Sequence, residues 1–178
     1  MHKALLTALA LAICSLSGSV ADENSAKADG WREIAWPFPR DGWPAGRAFR
    51  CANEVCGGEI EVYVRPKAGF CNCDSGVADD DEVDRVADLD LISERFVPTE
   101  AGRVIQIAGM KGRIRSYDLD MTDGSRHAAV GIAVSRRCDV LVAVAQGRGT
   151  IAVVQPVALE FLARSDMTRW MISAMDGN

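Results

Sequence analysis

The chain has 178 residues, 48% of them hydrophobic and 6% aromatic, with 20 basic and 25 acidic residues giving a formal charge of −5. A modest acidic excess excludes a general nucleic-acid binder, which needs positive charge to displace counterions from phosphates. The length suits one domain able to build its own core, so disulfides would reinforce this fold without being its sole support.

The first 21 residues read as a cleavable export signal. His2 and Lys3 open it, Ala4 to Leu16 is apolar, and Ser19-Val20-Ala21 places small residues before the polar Asp22-Glu23-Asn24. The apolar run is shorter than the ~20 residues that cross a bilayer, which argues against a membrane anchor. A lipoprotein reading of Leu11-Ala12-Ile13-Cys14 is disfavoured because Ile13 is bulky where a small residue is wanted. Losing Lys3 leaves 19 basic against 25 acidic residues and a charge of −6. No second hydrophobic span follows, so the expectation is a soluble periplasmic or secreted protein, with no membrane insertion after cleavage. Residues 22–30 read as a flexible polar leader and residues 31–178 as a single domain.

From Trp31 to Trp43 the chain carries Trp31, Trp36 and Trp43 with Pro37 and Pro39, and Pro44 follows. Prolines at this density exclude a long helix. The segment is expected to wrap the domain in an extended form. Trp36 and Trp43 are candidates for a binding surface, because indole pairs a large apolar face with one donor.

Residues 59–65 alternate with period two, which predicts a strand with Ile60, Val62 and Val64 inward and charge outward. Residues 79–90 predict a short acidic helix. Asp79 or a neighbour is its cap, and acids crowd its positive end. From residue 103 the pattern becomes strand-like: 103–107, then 114–121, a Thr122-Asp123-Gly124 turn, a return strand through 127–134, and an apolar, central strand over 140–144. Gln155-Pro156 is expected to open a helix, with proline in its first turn, and Ser165 to cap a second. The whole predicts an α+β fold: an antiparallel sheet of about 4–6 strands carrying the acidic helix and the C-terminal helices.

Five cysteines follow the signal: Cys51, Cys56, Cys71, Cys73 and Cys138. In an oxidising compartment they imply disulfides, and the odd count leaves one sulfur over. A local Cys51–Cys56 bridge suits the turn-forming Asn53 and Gly57-Gly58, with Cys71 or Cys73 joined to Cys138 as the remaining pairing. The odd thiol is expected within Cys71-Asn72-Cys73. The sharper alternative is a metal site in which Cys51, Cys56, Cys71 and Cys73 converge on zinc, but the spacing is irregular and export weakens it. A redox pair at Cys71 and Cys73 is disfavoured because activated thiols usually sit as Cys-x-x-Cys at a helix start, and nearby carboxylates raise a thiol pKa.

Two further groups carry candidate chemistry. Lys111, Arg113 and Arg115 share one face of an extended segment. With Arg126 on the return strand they could form a cationic patch for an anion or an acidic partner, the alternative being an ordinary solvent face. Asp80, Asp84 and Asp88 recur at helical spacing and read as a solvated helix face in preference to a calcium site, since the EF-hand alternation is missing. His127 is the one histidine after the signal, and its apolar neighbours favour a packed or surface role over a catalytic triad. No nucleophile-elbow, phosphate-loop or dinucleotide fingerprint occurs.

Gly69-Phe-Cys-Asn-Cys-Asp-Ser-Gly-Val-Ala-Asp-Asp-Asp-Glu-Val-Asp-Arg85, with Trp36-Pro-Phe-Pro39, resembles a group of exported alphaproteobacterial proteins without known activity. The resemblance implies a periplasmic location. The element order is also similar to the PsbP/Mog1 type of α+β fold, and no site residues carry over from either. The functional expectation is a non-enzymatic, disulfide-stabilised accessory or binding module for a protein or small anionic partner, without a cofactor. The alternative is a metal-binding or thiol-redox protein using the Cys71/Cys73 region.

Overall fold

The computed structural model describes residues 30–39, 41–69 and 72–177. The export signal, the leader through residue 29 and Cys71 lie outside the described residues. Among the described residues, eight strands form one antiparallel sheet: β1 (Trp31–Ile34), β2 (Arg47–Cys51), β3 (Ile60–Lys67), β4 (Arg95–Pro98), β5 (Arg103–Ile107), β6 (Met110–Asp120), β7 (Arg126–Arg136) and β8 (Asp139–Gly147). Their order is β1-β2-β3-β8-β7-β6, and β6 shares its outer edge between β5 and β4. The sheet is therefore larger than the 4–6 strands expected. The unread strands are the short β1, β2 and β4, whose four or five residues mix arginine with apolar side chains. So few positions hold little periodic signal.

The helices are the single turn α1 (Asn53–Cys56), then α2 (Asp80–Val86), α3 (Ile151–Ala163) and α4 (Ser165–Asp176). The predicted 79–90 helix breaks at Ala87, which is extended, and resumes as a 3-10 turn over Asp88–Leu91. Asp79 caps α2, its carboxylate accepting the Glu82 N–H at 2.9 Å. Replacing Asp79 with alanine is expected to cost about 1 kcal/mol, read as a lower urea midpoint and faster amide exchange at Glu82. The helix α3 starts at Ile151, so Pro156 lies inside it and not in its first turn as expected. Without an N–H, Pro156 cannot bond the Ala152 carbonyl. Burial of Val154, with Ile151 and Val153 packed against the core, holds the earlier start.

Both sheet faces are covered. On one, Ile60, Val62, Val64, Val130, Ile132 and Ala143 pack beneath α3 and α4 through Val154, Phe161, Leu162, Met167 and Met171. On the other, Ala129, Ala133, Val140, Val142 and Val144 meet Val83, Val86, Ala87 and Leu89 of α2 and the 3-10 turn. Double coverage explains why β8 reads as a continuous apolar run. It also corrects the reading of β3. The phase of the alternation is right, yet the row opposite Ile60, Val62 and Val64 is not a solvent face: Arg65 is 1% exposed and Lys67 6%.

Two disulfides staple the domain, Cys51 to Cys56 and Cys73 to Cys138. The first closes the β2–α1 corner. The second ties the loop after β3 to the β7–β8 turn, where Gly69 also donates its N–H to Asp139 at 2.6 Å. In this pairing Cys51, Cys56 and Cys73 each have a sulfur partner. Among the described residues no cluster of three or more His, Cys, Asp or Glu is arranged to hold a metal ion.

Candidate functional site

The second face of β3 presents Glu61, Tyr63, Arg65 and Lys67 in one row, because alternate residues share a face. Two buried cations in that row need partners, since an unpaired charge cannot be held in a dry interior. The 3-10 turn brings Asp88, whose carboxylate accepts from Arg65 Nε at 2.6 Å and Nη2 at 2.7 Å and meets Lys67 Nζ at 2.7 Å. Lys67 also donates to the Val86 carbonyl at 2.8 Å. The other edge of the Arg65 guanidinium forks onto Asp41, with Nη1 at 2.9 Å and Nη2 at 2.6 Å. Arg65 is raised further above its ordinary pKa: burial opposes its charge, and the two carboxylates outweigh burial.

The aromatic segment closes over these cations. The Arg65 guanidinium lies 5.5 Å from the Trp36 ring and Lys67 Nζ lies 5.8 Å from the Trp43 ring, both in cation–π range. Phe38 packs edge-on against Trp36 and Tyr63. Two glycines allow this approach. A Cβ on Gly46 would stand 2.7 Å from the Trp36 ring, and Gly42 takes φ +95° in the turn where Asp41 accepts the Trp43 N–H. Trp36, Phe38, Pro39, Trp43, Ala45 and Arg65 line a cavity of about 210 Å³. The three rings that wall it are only partly buried.

Asp41 sits on the solvent side of this cluster. The hydrogen bond from Arg65, set against a smaller burial penalty, lowers its carboxyl from the usual range to about 2. A depressed folded-state pKa contributes stability above the ordinary carboxylate pKa, which is lost as pH falls through the folded value. The expected result is a carbon-detected NMR titration in which Asp41 keeps its charge through pH 4 and protonates near pH 2, with the Trp36 and Trp43 indole signals shifting in step.

A second polar row joins the cavity through Tyr63. Arg50 Nε donates to Glu61 at 2.8 Å, the Tyr63 hydroxyl donates to the other Glu61 oxygen, and Gln146 Nε2 donates to that oxygen at 2.9 Å. Gln146 in turn bonds His127 Nδ1, while His127 Nε2 is buried with no hydrogen-bond partner among the described residues. Burial first, and then the hydrogen bond to Glu61 and that carboxylate's charge, push the Tyr63 hydroxyl up. Burial opposes the Glu61 charge, but the bonds from Tyr63 and Arg50 prevail and hold its carboxyl below the ordinary value. His127 is thus a packed histidine at the end of a hydrogen-bonded row.

The predicted cationic strand behaves differently. Arg113 bonds Asp80 and Arg115 bonds Asp84, with nitrogen–oxygen distances of 2.5 and 2.6 Å. Tyr117 adds its hydroxyl to Asp84 at 2.5 Å. Asp80, Asp84 and Asp88 are therefore not a solvated helix face. Each meets a cation that projects from the sheet. Lys111 lies further along β6, exposed beside a shallow depression near the Cys73–Cys138 bridge. Arg126 sits at the far end of the β6–β7 hairpin, opposite Asp120. The four cations do not gather in one patch, and the two central ones have their charges met by α2.

Trp36 and Trp43 are brought together as candidates, and the residues beneath them were not anticipated. Phe38 and the Arg65/Lys67 pair were visible as residue types, but no local pattern shows which loop covers a strand. A larger groove of about 640 Å³ runs beside Trp31, Val55, Phe161 and Arg169. Its Arg164 pairs at the surface with Asp166. It has no buried charge at its base, so the smaller cavity is the better candidate.

No family model matches the chain, and no curated protein matches it. Among solved structures it is similar to the crystal structure of PA94, a protein of unknown function from Pseudomonas aeruginosa, at 16% identity and a TM-score of 0.38, over 76% of this chain and 81% of that one.

Proposed function

We propose that this is an exported, non-enzymatic binding module, stapled by its two disulfides, that receives a protein or small anionic partner at the Trp36/Phe38/Trp43 cavity. The carrying observation is the cavity itself: three partly exposed aromatic rings held by a proline-rich segment directly over a buried arginine. Large amphipathic rings around a few fixed polar groups are the usual make-up of a recognition site. Export is supported by the signal-like first 21 residues and by cysteine pairing, which persists in oxidising compartments. The likeness to exported alphaproteobacterial proteins points the same way. No helix among the described residues is long and apolar enough to cross a membrane.

The test compares immobilised protein with its Trp36→Ala/Trp43→Ala variant as bait for components of the exported fraction. The proposal expects a component retained by the parent and lost by the variant, both showing native circular dichroism. Equal retention by the two would move recognition away from this cavity and overturn the proposal.

A further inference from the structure

Resting on the reading of the Trp36/Phe38/Trp43 cavity as the binding site, we propose that it takes a monocarboxylate carried on one aromatic or apolar group, and that Asp41 holds the carboxylate's place until the ligand arrives.

The two anions around Arg65 are not equivalent. Asp88 is buried on the 3-10 turn and bridges Arg65 and Lys67 from inside the fold. Asp41 belongs to an exposed turn, its side chain is 29% exposed, and it covers the guanidinium edge on the solvent side. That edge offers two parallel N–H donors to two carboxylate oxygens, a geometry any planar carboxylate reproduces. Charge counting narrows the class further. Asp41 brings one negative charge to Arg65, so its release leaves one charge to be replaced there. A monoanion replaces it, whereas a doubly charged phosphate overshoots it.

The walls define the rest of the ligand. Trp36, Phe38 and Trp43 present ring faces and edges beside the fork, so the body attached to the carboxylate is apolar or aromatic. A volume of about 210 Å³ is below the ~300–1,000 Å³ of sites for drug-sized ligands, which suits a single ring. Arg65 stays the fixed donor throughout, and the mobile partner is the carboxylate.

The test is a titration of the oxidised protein followed by tryptophan fluorescence, with 3-phenylpropionate and its amide as probes, in the parent and in the Asp41→Asn and Asp41→Ala variants. Asparagine keeps the size of the turn residue, so that variant guards against loss of folding in the other. Removing the internal competitor is expected to tighten acid binding about tenfold or more, within reach of one lost charge-assisted hydrogen bond. The amide is expected to gain nothing. Equal gains for acid and amide would overturn the carboxylate exchange while leaving the cavity a binding site. No response to either probe in any folded variant would also overturn it, and the retention experiment above then decides the broader reading separately. A short peptide ending in phenylalanine, free or amidated at its C-terminus, distinguishes a chain end from a free acid as the carboxylate source. Tighter binding of the free peptide than of 3-phenylpropionate assigns the site to chain ends, and the reverse assigns it to small acids. Both keep the proposal.

Discussion

Replacing Asp88 with alanine is expected to lower the unfolding free energy by about 3–5 kcal/mol, the cost of breaking a buried ion cluster by removing one member. Asp88 touches both Arg65 and Lys67. Asp41 pairs with Arg65, so the variant takes from Lys67 the carboxylate at 2.7 Å while its bond to the Val86 carbonyl and its place over the Trp43 ring stay. A domain of this kind holds about 5–15 kcal/mol in total, which places the variant near the edge of folding. Urea unfolding at neutral pH reads the effect. Charge and packing separate in the Asp88→Asn variant, which preserves volume. Adding Lys67→Met to it removes a cation that Asp88 had faced and is expected to recover about 1 kcal/mol. If the second change recovers nothing, the damage is steric and the cluster is not held by charge.

Removing the Cys73–Cys138 bridge as a double serine variant is expected to cost about 4 kcal/mol, against about 2 kcal/mol for the Cys51–Cys56 bridge. The difference follows from loop closure, since the sequence separations are 65 and 5. A longer loop in the unfolded chain has more entropy to lose when its ends are joined. Serine double variants compared by urea midpoint test the order. The reverse order would place the stabilisation in folded-state contacts instead of the unfolded chain. Peptide mapping without reductant should recover 51–56 and 73–138 as linked pairs. Cys71 is then, by count, the odd cysteine after the signal.

The strands from residue 103 onward were legible because each carries its own evidence. The β6–β7 hairpin is long, β6 alternates, β7 is an apolar run, and the two are joined around Thr122-Asp123-Gly124. The cap of α2 was legible too, since Asp79 stands three residues before the amide it accepts. The β1, β2 and β4 strands were not, because they are ordered by backbone pairing with neighbours already in place and not by their own pattern. Pro156 misled in a similar way. Proline favours a helix's first turn locally, but packing of Val154 against the sheet extended α3 backwards past it.

The candidate site shows the same division more sharply. Both halves of the acid–base pairing were visible as one-dimensional patterns: Asp80, Asp84 and Asp88 at helical spacing, Arg113 and Arg115 two apart on a strand. Each pattern alone describes a solvated surface. Only their approach in space turns them into partners, with Arg113 on Asp80 and Arg115 on Asp84.

By itself, the amino-acid sequence determined the antiparallel plan, the inward row Ile60, Val62 and Val64, and the cysteine-rich frame, because periodicity, turn chemistry and composition are local properties. The burial of Arg65 and Lys67, the choice of Asp88 and Asp41 as their anions, and the cavity under Trp36 and Trp43 were decided only by the tertiary structure. The reason is physical: a strand specifies which residues share a face, but what covers that face comes from segments distant in sequence.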